Sequence, residues 1–159
     1  MKVYHATNEK FDRFDNAFIY SRGNGAYGGY FGDGFYFVDE LQSARMIQSQ
    51  LNARYLLTCE VPENLYDIDL SDDFAAIENF PVPADIKAQM HEVAEYNDSF
   101  FAAGNMEGFG LEEYLKKAGF SGIRVLNRFV EQGLTNYVEI VIFNDSDIKI
   151  ISVEDENEL

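Results

Sequence analysis

The sequence predicts an α+β domain with mostly antiparallel strands, because strand-like runs stand at both ends of the chain and helical patterns lie between them. Apolar alternation from Lys2 to His5 opens the chain, and Tyr137–Phe143 with Ile148–Val153 closes it. Between these ends, apolar residues recur at helical spacing in three places.

Taken in order, Lys2–His5 reads as a first strand whose last side chains reach a sheet end. From Asn8 to Asp33 the pattern dissolves, and the stretch Gly23–Gly34 interleaves glycines with Tyr27, Tyr30 and Phe31, which signals a loop. No GK[ST] follows it, so it is not a Walker phosphate loop. Gly34–Val38 reads as a strand, and Asp39 with Gln42 resembles a capping box that starts a helix with Leu41, Ala44, Ile47 and Leu51 on its apolar face. Strand character returns at Tyr55–Val61 and Leu65–Leu70, broken by Pro62 and Asn64.

Residues 71–108 read as a peripheral helical elaboration, with Ile86, Met90, Val93 and Ala94 as an apolar stripe that Phe100 and Phe101 can extend. Leu111–Ala118 is a shorter helix, ended by Lys116, Lys117 and Gly119. Ser121–Leu126 is a strand, and the Asn144–Asp147 turn joins the last two. Residues 1–153 are therefore expected to form one domain, and the acidic residues 154–159 a frayed tail.

Composition narrows the function classes. An apolar fraction of 47% with 14 Phe and 10 Tyr is ample for one core and excludes a disordered chain. The formal charge of -16 repels phosphate backbones, so direct nucleic-acid binding through a basic surface is not expected. From Tyr55 to Leu115 the only Lys or Arg is Lys87, so this part of the surface suits solubility or a basic partner. No apolar run approaches the ~18 residues of a membrane helix, and the first residues lack a signal-peptide pattern. A cytoplasmic location and no membrane partner are expected. The single Cys59, set in YLLTCEV, leaves no disulfide framework or cysteine-built metal site and reads as a buried strand residue.

Three polar groups lie in or beside apolar strands: His5, Tyr36 and Glu139. A carboxylate between Val138 and Ile140 faces solvent, a partner or a cleft, since unpaired burial is costly. Taken singly, Glu139 equally suits a solvated strand face, His5 a structural histidine and Tyr36 a core ring.

Together with their neighbours they resemble a family. Val3-Tyr4-His5-Ala6-Thr7 followed by Phe11 and Phe14 is similar to the opening "hydrophobic-Tyr-His-Gly-[ST]…F..F" of ADP-ribosyltransferases of the histidine, tyrosine, glutamate class. Gly34-Phe35-Tyr36-Phe37-Val38-Asp39 with Ala44 resembles the "G-[IL]-Y-F-[TA]-D…A" segment. Gly122-Ile123, then Glu139-Ile140-Val141-Ile142-Phe143-Asn144 and Ile148-Lys149, resembles the C-terminal pattern of the small domains found in bacterial and phage polyvalent proteins. The segments follow the family's order from Val3 to Ile150, and residues 67–108 match none of them.

The resemblance implies a split β-sandwich that holds NAD as substrate in a cleft, with no metal. It implies His5, Tyr36 and Glu139 as catalytic residues, and His5, Ala6, Thr7, Arg22, Gly34, Tyr36 and Met46 as the NAD-binding set. His5 would bond a ribose hydroxyl, Tyr36 would stack on nicotinamide, and Glu139 would stabilise positive charge on the sugar as nicotinamide leaves. The implied activity is mono-ADP-ribosyl transfer to a macromolecular acceptor, a protein, or hydrolysis of NAD. Ala6 replaces the usual glycine, Met46 and Ile47 stand where a second tyrosine would, and Tyr137 replaces the Gln or Glu of arginine-directed enzymes. Lys2, Lys10, Arg13, Arg22 and Arg45 are the cations available to offset the acidic field near two phosphates. The alternative is a non-catalytic acidic module on the same fold that captures a basic partner, as a phage-type nucleic-acid mimic would.

Overall fold

The computed structural model describes residues 1–10, 12–15, 34–97, 100–101, 109–128 and 137–158. They form an α+β structure built on one seven-stranded mixed sheet. In chain order the elements are β1 (Lys2–Thr7), β2 (Phe35–Val38), α1 (Leu41–Leu51), β3 (Tyr55–Glu60), β4 (Leu65–Asp69), α2 (Asp73–Glu78), α3 (Ala84–Asn97), α4 (Leu111–Lys117), β5 (Gly122–Arg128), β6 (Tyr137–Ile142) and β7 (Lys149–Asp155). Across the sheet the order is β4-β5-β6-β2-β1-β3-β7. The β4–β5 pair is parallel, and the other pairs are antiparallel.

The ladder is continuous on both sides of its middle and nearly absent at the middle. β1 pairs with β3 through six residues and β2 with β6 through four, whereas β1 meets β2 at Tyr4↔Val38 alone. Beyond that pair β1 and β2 share no further ladder pairing. The sheet is thus two wings joined at a single pair, a fork in the ladder.

Side-chain alternation gives each face its own core. On one face Val3, Phe35, Phe37, Leu57, Cys59, Ile140 and Ile142 pack with Phe14. The other face carries the helices. There α1 covers one wing through Val38, Ala44 and Leu56, while α2, α3 and α4 cover the other, where Tyr66, Ile68, Ile123, Val125 and Val141 meet Ile77, Met90, Leu111 and Leu115.

Several local expectations change. Residues 71–108 are more than a peripheral addition: Phe80, Phe100 and Phe101 are fully buried, so this segment supplies much of the larger core. The first helix begins without the Asp39–Gln42 capping box. Its N-cap is Glu40, which makes no side-chain cap bond, and Asp39 remains in the turn. Nor is its buried stripe the expected one. Ser43, Ala44 and Gln48 are buried while Leu41 and Leu51 are exposed, because the short Ala44 lets the helix sit close on β1 and β3. At the C-terminus β7 runs past the expected limit at Val153 to Asp155. The acids there are tied by Arg45–Glu154 and Arg54–Asp155 bonds of 2.7 and 3.0 Å. By contrast α4 ends as its sequence predicts, with Lys116 and Lys117 in the last turn and Gly119 at φ +94. Among the described residues no helix is long and apolar enough to cross a membrane.

Candidate functional site

At the fork between β1 and β2 the ladder is reduced to a single pair, and two of the three singled-out residues meet there. His5 Nδ1 lies 2.8 Å from the carbonyl oxygen of Tyr36. A carbonyl only accepts, so Nδ1 carries the proton and donates, which in the neutral tautomer leaves Nε2 as the acceptor nitrogen. Phe14 and Phe37 hold the imidazole from the sides, at ring-centre distances of 5.5 and 5.6 Å. The imidazole therefore bridges two strands that no longer pair.

Glu139 joins from the next strand. The register Val38↔Glu139 and Tyr36↔Val141 makes Tyr36 and Glu139 diagonal neighbours on one face of β2 and β6, with backbone positions about 7–8 Å apart and within reach of an aromatic side chain. That face belongs to the helical side. Tyr36 is half-buried against the larger core, and Glu139 is only 4% exposed. A carboxylate this shielded from water is costly unless its surroundings compensate, which sets it apart from a solvated strand residue.

His5 alternates onto the opposite face with Val3 and Phe37. The three residues are thus not presented by one surface: Tyr36 and Glu139 share a face, and His5 reaches Tyr36 from the other side of the gap. The fork makes this possible, since a paired β1–β2 ladder would separate the two faces.

The remaining expected residues divide. Ala6 stands on the helical face against Val38, Ala44 and Leu56. Thr7 uses its hydroxyl to accept the Glu9 backbone N–H at 3.1 Å, closing the turn after β1. At Gly34 a Cβ would lie 2.6 Å from Val141 Cγ1 and 2.7 Å from the Ile142 carbonyl oxygen, so the absence of a side chain lets β2 start tight against β6. Arg22, and the Gly23–Gly34 loop except for Gly34 itself, lie outside the described residues.

Met46 lines an open concavity of about 580 Å³ with Leu41, Gln42, Arg45 and Ser49. Ile47, the next residue along α1, packs against the cluster of Val38, Ala44 and Leu56. Arg45 is likewise committed to Glu154 and is a poor candidate for a phosphate contact.

Burial pushes the Cys59 thiol up to about 12, which disfavours the thiolate at neutral pH and agrees with its reading as a buried strand residue. Asp39, beside the fork's closed end, has its carboxyl raised by burial and then by Glu40, with Arg124 opposing. The chain matches no family model and no curated protein sequence.

Proposed function

We propose that this protein cleaves the nicotinamide–ribose bond of NAD, transferring ADP-ribose to a protein acceptor or to water. The observation that carries the reading is the shielded Glu139 carboxylate, a diagonal neighbour of Tyr36 on one sheet face, near the point where His5 bonds the Tyr36 backbone across a break in the sheet. A break in a ladder exposes backbone groups, and its persistence needs a reason beyond packing.

In this reading the residues divide the work. Tyr36 offers a flat face for the nicotinamide ring, its backbone held by His5. His5 Nε2 accepts a hydrogen bond from a ribose hydroxyl, since Nδ1 donates to the Tyr36 carbonyl. Glu139 opposes positive charge that develops on the sugar only as nicotinamide departs, so its effect falls on the barrier more than on binding. Its low exposure strengthens that interaction, because the surrounding dielectric is low.

The test is release of free nicotinamide from NAD by the purified chain. Glu139→Gln keeps the shape and removes the charge, and is expected to slow release by about 10²–10³-fold, with little change in the NAD concentration at half-maximal rate. Equal silence of wild type and variant would remove the enzymatic reading. The non-catalytic acidic module then stands, and it predicts capture of a basic protein that weakens steeply with salt and ignores substitution of His5.

A further inference from the structure

Phe14 belongs to no strand or helix, yet it is only 6% exposed, and its ring touches both sides of the break in the ladder. On the β1 side it stands edge-on to His5, with ring centres 5.5 Å apart and planes at 75°. On the β2 side it meets Phe35 at 5.1 Å and Phe37 at 5.3 Å. Phe37 in turn closes on the imidazole at 5.6 Å. His5, Phe14 and Phe37 therefore form a closed triangle of rings, in which β2 braces Phe14 and Phe14 braces the imidazole.

The other constraint on His5 is the Tyr36 carbonyl, 2.8 Å from Nδ1. A single hydrogen bond at a partly buried site competes with water and holds a ring weakly by itself. Which nitrogen carries the proton is set by the bonds the ring makes, so the tautomer persists only while the ring keeps its orientation. Turning the imidazole about its Cβ–Cγ bond would take Nδ1 off the carbonyl. That turn has to push against Phe14 and Phe37, which are packed on each other.

We propose that Phe14 is a positioning residue for His5: braced on Phe35 and Phe37, its ring holds the imidazole on the Tyr36 carbonyl in the Nδ1–H tautomer and so keeps Nε2 an acceptor. The consequence for catalysis rests on the NAD reading, in which Nε2 meets a ribose hydroxyl. The tautomer itself does not.

The chain has two histidines, and the second is an internal control. His91 Nε2 lies 2.8 Å from the Glu78 carboxylate, which accepts, so His91 carries its proton on Nε2. Imidazole nitrogen NMR, recorded where titration shows both rings neutral and assigned with His91→Gln, should report opposite tautomers for the two. In Phe14→Leu, which stays apolar but loses the ring, the two His5 nitrogen signals should converge as its tautomers exchange, while the His91 pattern stays. Phe14→Met gives the same reading should Phe14→Leu fail to fold. Nicotinamide release by the variant should fall about tenfold to a hundredfold in kcat/KM, chiefly through KM, in contrast to Glu139→Gln. A wild-type His5 with its proton on Nε2 overturns the proposal, and so does a His5 pattern that survives loss of the ring. Full activity of the variant beside an active wild type also overturns it and leaves the NAD reading intact. A wild type that releases no nicotinamide removes the NAD reading instead, and the nitrogen signals then decide the role of Phe14.

Discussion

Two glycines set the position of Glu139 without touching it. Gly34 and Gly122 both approach β6 at Val141 and Ile142, and a Cβ on Gly122 would stand 2.0 Å from the Val141 carbonyl oxygen. That atom is backbone in the middle of a sheet, so it has nowhere to move, and β5 or β6 must shift instead. Gly122→Ala is therefore expected to lower stability by roughly 1–3 kcal/mol or more, as overpacking does in other cores. Urea unfolding followed by circular dichroism measures it, and a change within error of zero would show that the strands give way easily. At this scale the sequence was partly legible. Tyr36, Glu139 and His5 stand out as polar groups in apolar runs, and the glycines are visible beside them. What no single run reveals is that Gly122 pairs with Ile142 and closes on the Val141 carbonyl, because strand pairing is a long-range property.

Among the elements, α1 shows where periodicity misleads. The stripe Leu41, Ala44, Ile47, Leu51 is a proper helical pattern, yet its two leucines are exposed and Ser43 and Gln48 are buried. Helix ends are free of the packing that fixes the middle, so the terminal leucines carry little weight in orienting it. The orientation is reinforced by Arg45, whose two-pronged contact with Glu154 ties α1 to β7. Hydrogen bonding to Arg45 holds the Glu154 carboxyl below its ordinary value, and Arg54 does the same for Asp155. A depressed carboxyl stabilises the fold fully above the unfolded pKa of about 4, and this contribution disappears as pH falls through the lower folded value. Glu154→Gln should thus lower stability at pH 7 by less than about 1 kcal/mol, since the pair is partly exposed. The gap from wild type should narrow as the pH is lowered from 7 to about 3, since Glu154 loses its charge as pH falls through its lowered folded value. Thermal unfolding at the two pH values decides it, and a gap that persists in acid would mean that the side chain acts through packing instead.

For the whole molecule, composition and the order of elements were enough to give the α+β class and the mostly antiparallel pairing, and the stripe extended by Phe100 and Phe101 pointed to their burial. They did not give the parallel β4–β5 pair or the burial of Phe80, because both depend on which elements meet across the fold. Charge is the property that the sequence states most directly, and its consequence is collective. With 28 Asp and Glu against 12 Lys and Arg, at most 12 carboxylates can be neutralised, so 16 or more repel one another across a small surface. The described ion pairs are mostly exposed, each worth little. Added salt screens both the pairs and the repulsion, and here the repulsion is the larger sum. Raising ionic strength from about 0.01 M to 1 M shortens the screening length from about 30 Å to 3 Å, which switches off contacts between distant carboxylates first. The thermal midpoint at pH 7 is therefore expected to rise by several degrees over that range, with sodium chloride used in place of a salt that is excluded from protein surfaces. Unfolding scans at graded salt measure the shift directly. A midpoint that falls would mean that a few well-placed ion pairs outweigh the net charge, and it would single out Arg45–Glu154 and Arg54–Asp155 as the first pairs to break.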